Sequence, residues 1–261
     1  GGMLSYFTEL NRKPAPKGVF DFITHTACPI VHAADDLSVM ETLESMPSII
    51  ASTRAMIGTS PYHMGPTSIP CRDNPYGARE ASNPDNGRVC LSDMDPRQRG
   101  LFGAAWNLGL VAAAAKGKLD AVSLGAVTGP QGLIYRMANY MQPGLDGGNA
   151  AVYPVYHILA GLGRASGARH IETESGAPGR IAALAHESKA GPVLWLANLT
   201  GEKQAVKVGG FKGAAQVHVL DEKTFDGLIK RPDYLAKPGT KMNKVSSLEL
   251  GPYAVIRVAA T

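Results

Sequence analysis

The sequence predicts an α/β fold, the C-terminal half of a (β/α)8 TIM-type barrel followed by an antiparallel β-sandwich domain. Before residue 130, four short apolar stretches run into polar or turn-forming residues, and three of them lead into a helical pattern. From residue 182 the chain instead alternates as strands do, with Gly or Pro turns between. We therefore assign residues 1–166 to the last four strand-helix units of a barrel and residues 167–261 to the sandwich, with the boundary near Gly167.

Four barrel strands are predicted, and each ends in residues that can do chemistry. The stretches are Leu4–Asn11, Val19–His25, Tyr62–Ile69 and Ala121–Ala126. In barrels of this kind the active-site residues lie at the carboxyl ends of the strands. Candidate functional residues are therefore sought at these ends and in the loops that follow.

A helix-start signal follows the second stretch. In Ser38-Val-Met-Glu41 a hydroxyl and a carboxylate stand at capping-box spacing, so each can satisfy an orphan N–H group. This predicts a helix from about Ser38 to Ile50. After the third stretch, the irregular segment Pro70–Asp93 is rich in Pro, Gly, Asn and Asp, and loops of that length are usually functional or disordered.

Asp95-Pro96 is a second helix-start signal, because Asp accepts from first-turn N–H groups and Pro has no N–H to satisfy. Asp95, Arg97 and Arg99 are assigned to this cap and a solvated face. The Ala-rich run Gly103–Lys116 continues the helix, and Gly117 is expected to end it in the left-handed conformation.

The sandwich domain follows a last predicted helix at about Tyr153–Gly163. Short alternating segments bounded by turn residues are typical of antiparallel strands. These strands are predicted at Ile181–His186, Val193–Leu199, Ala205–Val208, Gln216–Asp221, Ser246–Leu250 and Ala254–Val258.

The composition indicates a folded protein and excludes several classes of partner and site. Of the 261 residues 44% are hydrophobic and 18% are charged, which is too few charges for a disordered chain. The net charge of +4 comes without a Lys/Arg-rich block, so neither nucleic acid nor a membrane is expected as a partner. The three cysteines, Cys28, Cys71 and Cys90, lack Cys-x-x-Cys spacing and indicate neither a disulfide framework nor a thiolate zinc site. A reducing cytoplasm fits best.

Motifs at the strand ends resemble the later part of the D-apionate lactonase family. They are Phe7-Thr-Glu-Leu-Asn-Arg12, Thr24–Asp36 with Ser38-Val-Met-Glu-Thr-Leu43, Arg72-Asp-Asn-Pro-Tyr-Gly77 and Asp95–Trp106. The resemblance covers nearly the whole chain. It implies the second half of a barrel and a C-terminal β-domain that is similar to the accessory sandwich of many glycoside-hydrolase-like enzymes. The implied activity is hydrolysis of the five-membered lactone of a branched sugar acid, in bacterial breakdown of apiose.

Glu9, His25 and Asp36 are the candidate catalytic residues, assigned from residue chemistry. Glu9 and Asn11 lie two apart on a predicted strand and share a face, where a carboxylate can deprotonate water and an amide can hold sugar hydroxyls. His25 ends its predicted strand and suits a general base, with Asp36 orienting the imidazole. Two alternatives stay open: Glu9 is a buried carboxylate that ties down Arg12 or Lys13, and His25 is a satisfied core histidine.

The candidate substrate-binding residues share polar side chains at strand ends and in the loops that follow. They are Asn11, His32, Asp35, Arg72, Asp73, Asn74 and Tyr76. A bidentate anion binder such as Arg72 suits a sugar acid whose product is a carboxylate. Alternatively, Asp35 or Asp36 caps the helix at Ser38, and Asp-Asn-Pro builds a solvated turn.

Two other enzyme mechanisms stay open. A glycosidase needs two carboxylates across the sugar. The architecture is similar to glycoside-hydrolase barrels, in which the nucleophilic Glu ends the seventh strand, and that similarity implies His63–Ile69, which has no carboxylate. The carboxylates of the earlier strands stay open as partners. A metal-dependent hydrolase would group Glu9, His25, His32 and Asp35, whose spacing matches no specific metal motif. No cofactor is therefore expected, with a divalent metal as the alternative.

The remaining alternative is an inactive carbohydrate-binding fragment. A barrel cut between its fourth and fifth strands exposes two sheet edges, which isolated chains rarely tolerate. The expected partners are a sugar lactone or other carbohydrate and, to close the barrel, a missing N-terminal half or a second copy. We expect an enzyme as part of a longer chain.

Overall fold

The computed structural model describes residues 1–77 and 79–261, and its first part is a parallel sheet. The strands are β1 (Gly2–Tyr6), β2 (Ile23–Ala27), β3 (Tyr62–Thr67) and β4 (Ala121–Leu124), in that spatial order. Each neighbouring pair is parallel. The helices that follow the strands are α1 (Phe7–Arg12), α2 (Asp36–Ile57), α3 (Leu101–Lys116) and α4 (Pro154–Gly163). The predicted half-barrel of four β/α units is confirmed.

The first strand is shorter than predicted. It ends at Tyr6, and Phe7–Arg12 forms a helix with Leu10 buried beneath it. A helix of six residues is less than two turns long, so its periodicity cannot be distinguished from that of a strand in the sequence alone.

Helix α2 begins before the predicted start and ends after the predicted end. Its N-cap is Asp35, whose carboxylate accepts a hydrogen bond from the backbone N–H of Ser38 at 2.9 Å. Ser38 therefore lies inside the first turn, and the capping box predicted at Ser38 is wrong. The helix continues through Pro47 and ends at Gly58, whose φ of 62° is one that glycine adopts without strain.

Asp95 caps a short 3₁₀ turn rather than α3 itself. The turn spans Pro96–Arg99 and Gly100 then precedes α3. The predicted solvated face is wrong, because Asp95, Arg97 and Arg99 are all buried. The predicted left-handed ending is also wrong: Gly117 has a φ of −78°.

The second part of the chain is built from antiparallel strands, as predicted. The strands are β5 (His170–Ile171), β6 (Ile181–Ser188), β7 (Gly191–Asn198), β8 (Gln204–Lys207), β9 (Ala215–Leu220), β10 (Thr240–Met242), β11 (Ser247–Leu250) and β12 (Val255–Ala260). Six of them form a sheet with the order β10-β9-β12-β7-β6-β5, and β8 pairs with β11 separately. One further helix, α5 (Phe225–Lys230), was not predicted.

One hydrophobic core joins the two parts. Buried side chains of α2, α3 and β3 pack in the same cluster as those of β6, β7 and β12. Trp106 and Trp195 are both fully buried within it. A Cβ at Gly161 of α4 would lie 2.5 Å from the Trp195 ring, so only glycine allows this helix so close to β7. Among the described residues, no helix has the length and apolar character needed to cross a membrane.

Candidate active site

The register of the parallel sheet decides which side chains face the helices. Ile23 pairs with Tyr62, and His25 pairs with Met64. Because alternate residues of a strand point to opposite faces, these side chains share the helix-covered face with the buried core. The other face, which a closed barrel would enclose, carries Thr24 and His63 among others.

His25 lies inside β2 and not at its end. Its ring is 1% exposed, and Nδ1 donates to the carbonyl oxygen of Thr26 at 2.9 Å while Nε2 accepts from the Tyr62 hydroxyl at 2.5 Å. Burial lowers its pKa, so the imidazole stays neutral near pH 7. The expectation that His25 ends its strand at the barrel mouth is wrong, because β2 continues to Ala27 and its register turns the ring toward the helices.

Glu9 and Asn11 lie on α1, so the shared strand face predicted for them is also wrong. Side chains two residues apart on a helix point about 200° apart. The Glu9 carboxylate pairs with the guanidinium of Arg12, and Asn11 is exposed. This ion pair is the contact that the structural alternative for Glu9 predicts.

Asp36 does not orient an imidazole, since it belongs to a group of ion pairs. Its carboxylate accepts from Arg97 at 2.8 Å and from Arg88 at 2.9 Å. Partial burial opposes ionisation, but the hydrogen bonds from Arg88 and Arg97 outweigh it and lower the pKa of Asp36. Asp35 caps α2 through Ser38, as its own alternative proposed.

The loops after β2 and β3 lie together at the carboxyl edge of the sheet. The backbone N–H of Leu91 donates to the carbonyl of Ile30 at 2.8 Å, and the Cys28 thiol donates to the carbonyl of Ile69 at 3.3 Å. The rings of His32 and Tyr76 have their centroids 6.2 Å apart. Of the predicted site residues, the structure thus brings His32 beside the segment that carries Arg72, Asp73 and Tyr76.

Arg72 is the residue of this group with the least satisfied side chain. Its Nε and Nη2 atoms are shielded from solvent and have no hydrogen-bond acceptor within the described part of the chain. Burial lowers its pKa, although an arginine remains charged at neutral pH. A shielded donor without an acceptor costs about 1–3 kcal/mol, and more when it is charged. This cost is relieved when an anion accepts hydrogen bonds from the guanidinium.

Asn74 shapes the loop. Its Oδ1 accepts from the backbone N–H of Tyr76 at 3.0 Å, and its Nδ2 donates to the carbonyl of Arg79 at 2.9 Å. These hydrogen bonds form the turn that was predicted, for Asp-Asn-Pro, as the alternative to substrate binding. The side chains of Asp73 and Tyr76 are exposed at the same place. Ala78, in the predicted loop Pro70–Asp93, lies outside the described residues.

Three further groups at these strand ends were not predicted as site residues: Tyr6, Cys28 and Cys71. Burial raises the pKa of Tyr6, and it raises those of Cys28 to about 12 and Cys71 to about 11, where the charge of Glu80 adds to the effect. All three are therefore protonated at neutral pH, so they act there as hydrogen-bond donors rather than as nucleophiles. Sequence reasoning missed Tyr6 because the first strand was extended past it.

Comparison with known proteins identifies the family. The model of the D-apionate lactonase TIM barrel domain matches residues 1–167, and that of the D-apionate lactonase C-terminal immunoglobulin-like domain matches residues 178–258. The chain belongs to the D-apionate lactonase family. The D-apionate lactonase of Brucella anthropi is 43% identical over 211 residues, which are 81% of this chain and 33% of that protein. The chain thus spans about a third of the length of this curated relative.

Solved structures confirm the fold of this D-apionate lactonase family member. The α-L-arabinofuranosidase of Thermotoga maritima has a TM-score of 0.52 at 12% identity, over 92% of this chain and 52% of that one. The family 44 endoglucanase of Clostridium thermocellum has a TM-score of 0.52 at 7% identity, over 92% of this chain and 46% of that one. At such low identity the likeness concerns the architecture alone.

Two proton acceptors in the loops around Arg72 are Asp73, its neighbour in the chain, and His32, which lies beside Tyr76. Both have exposed side chains in the loops that meet at the carboxyl edge. The residues predicted as a metal group lie in different settings: Glu9 pairs with Arg12, His25 is in the core and Asp35 caps α2. Within residues 1–77 and 79–261, no three His, Cys, Asp or Glu side chains lie close enough to hold a metal ion.

Proposed function

We propose that this chain supplies one half of the active-site rim of a sugar-acid lactone hydrolase of the D-apionate lactonase type, acting in carbohydrate catabolism. Family membership and the Brucella relative support the reaction class. The observation that carries the site is Arg72, a half-buried cation in the loop after β3 whose shielded Nε and Nη2 atoms have no acceptor in the described residues. Active sites of barrels lie at this edge.

Lactone hydrolysis creates the kind of charge that Arg72 is suited to bind. Water adds to the carbonyl carbon, the negative charge of the tetrahedral intermediate lies on the former carbonyl oxygen, and the bond to the ring oxygen then breaks. The ring oxygen leaves as a hydroxyl and the product is a carboxylate. A guanidinium donates to either anion. The attacking water gives its proton to an acceptor, for which this chain offers His32 and Asp73, and the same group returns that proton to the departing ring oxygen.

We propose that the uncovered face of the sheet is closed by upstream strands of the same barrel. The chain matches a third of the Brucella relative and about half of the arabinofuranosidase, so each of those proteins has further chain that could form such strands. A second copy of this chain is the alternative occupant. Light scattering separates the two, since pairing of copies doubles the mass whereas upstream strands belong to the same polypeptide.

One assay tests this function against its alternatives. Full-length protein is offered five-membered aldonolactones and p-nitrophenyl glycosides, each with and without a chelator. Release of carboxylate from lactones, insensitive to the chelator, supports the proposal. Cleavage of glycosides instead would support a glycosidase, loss with chelator a metal-dependent hydrolase, and binding without turnover a carbohydrate-binding fragment. Any of these three results contradicts the proposal as stated.

A further inference from the structure

The backbone on both sides of Arg72 is held by side chains from distant parts of the chain. The Tyr6 hydroxyl, at the end of β1, donates to the carbonyl of Asp73 at 2.7 Å. The Gln131 side-chain amide, in the loop after β4, donates to the carbonyl of Cys71 at 2.9 Å. The carbonyls of the residues before and after Arg72 are thus each bound by a side chain from elsewhere in the fold, one from the end of β1 and one from the loop after β4.

The segment that leads into Arg72 is fixed in the same way. Gln98 accepts from the backbone N–H of Ile69 at 3.1 Å, and Ser68 donates to the carbonyl of Pro70 at 2.7 Å. The N–H of Cys71 donates to the carbonyl of Ser92 at 2.8 Å. Loops usually tolerate change, so a loop with this many long-range hydrogen bonds is one whose geometry matters.

The loop after β4 is folded tightly to bring Gln131 into place. Gly125 has a φ of 59°, and a Cβ there would lie 2.6 Å from the carbonyl oxygen of Gln131. The N–H of Ala126 donates to that same oxygen at 2.8 Å. A glycine at this position therefore allows the close turn from which the Gln131 amide reaches Cys71.

We propose that Tyr6 and Gln131 are positioning residues that hold the backbone on either side of Arg72, so that its guanidinium is oriented in advance for the carboxylate of a sugar acid. The inference rests on the proposed function for the identity of the ligand. Fixing a side chain before binding removes an ordering cost from the binding step. A long arginine side chain on a free loop would lose that advantage.

The inference predicts a change in anion affinity. This affinity is measured by calorimetric titration of the full-length protein with sodium D-erythronate, the salt of a four-carbon sugar acid. Tyr6→Phe and Gln131→Met each remove one donor and keep most of the side-chain volume. Each should weaken erythronate binding about fivefold, the usual effect of one lost hydrogen bond, and Arg72→Met at least about tenfold. Tyr234→Phe and Gln204→Met remove comparable hydrogen bonds in the C-terminal domain and serve as matched controls with unchanged affinity.

A double-mutant cycle distinguishes positioning from general support of the fold. In an Arg72→Met background, Tyr6→Phe should change erythronate affinity less than about twofold, because there is no guanidinium left to orient. Equal losses in both backgrounds would overturn the inference, as would unchanged affinity in both single variants. Erythritol has similar hydroxyl groups but no carboxylate, so every variant should bind it with the affinity of the unmodified protein. A parallel loss of erythritol affinity would also overturn the inference.

The same measurements separate this inference from the proposed function. Erythronate binding with the predicted coupling, in a protein that opens no lactone, would leave the inference standing and refute the hydrolase. If the protein hydrolyses lactones but Arg72→Met leaves its erythronate affinity unchanged, the proposed hydrolase function stands and the inference is refuted. Absence of erythronate binding in the unmodified protein would refute the inference directly.

Discussion

Arg72 and Arg97 are two arginines with opposite surroundings, the first half-buried and the second buried. Arg97 donates to both carboxylate oxygens of Asp95 at 3.0 and 2.6 Å and to Asp36 at 2.8 Å. Arg72 has two shielded nitrogens for which the described residues supply no acceptor. The same functional group is therefore structural where the fold supplies carboxylates and available for a ligand where it does not. The acceptors around each guanidinium thus distinguish these two roles.

The largest expected effect comes from removing the satisfied arginine. Arg97→Met leaves Asp95, which is 0% exposed, as a buried charge without its counter-ion. Breaking a buried pair in this way costs about 3–5 kcal/mol in the free energy of unfolding, measured by urea denaturation. Arg88→Met is the matched control: Arg88 is exposed and binds the same Asp36, so its loss should cost less than about 1 kcal/mol. If the two variants lose the same amount of unfolding free energy, the buried Asp95–Arg97 pair does not have the structural role assigned to it.

The reciprocal experiment concerns activity. Arg72→Met should lower kcat/KM for lactone opening by about 10²-fold or more, as loss of an oxyanion donor does. The free energy of unfolding should rise by about 1–3 kcal/mol, because the substitution removes shielded donors that have no acceptor within the described residues. A variant that keeps its activity but unfolds early would place Arg72 in the same class as Arg97.

The acid limb of the stability curve sharpens the comparison at Asp36. Its pKa is lowered in the folded protein, so its contribution is present above the unfolded value of about 3.9 and is lost as the pH falls through the folded value. Asp36→Asn should therefore cost under about 1 kcal/mol at pH 6, since the carboxylate is 40% exposed. Its deficit relative to the unmodified protein should shrink below about pH 4 in urea titrations. If this difference in unfolding free energy does not change with pH, the ion pairs of Asp36 do not contribute to stability.

The smallest effect is expected at Glu9. Glu9→Gln should change kcat by less than about threefold, because the carboxylate pairs with Arg12 on the surface of α1. A loss of about 10²-fold in steady-state kinetics would instead restore Glu9 as an acid–base group.

Local signals predicted the architecture well and the site only in part. The four strands and the antiparallel second part follow from apolar periodicity, which each segment carries within itself. The face of His25 depends on the register of β2 against β3, and a shift of one residue exchanges the two faces. Asp35 and Ser38 were both sound candidates for the N-cap, and only the backbone decided between them.

Arg72 could be predicted because an arginine after a barrel strand is chemically distinctive wherever its neighbours lie. The contacts around it could not be predicted. Tyr6 is 67 residues from Asp73 and Gln131 is 60 residues from Cys71 in the chain, so no local pattern connects them. Such contacts exist only once the strands are placed side by side.

The shared core gives the protein its own optical reporter. Its two tryptophans, Trp106 and Trp195, belong to α3 and β7 and meet the same buried cluster. Tryptophan emission from this chain thus arises wholly at the place where the parallel sheet's helices meet the second domain. A red shift would mark separation of the two parts, while events confined to the loop of Arg72 should leave the spectrum unchanged.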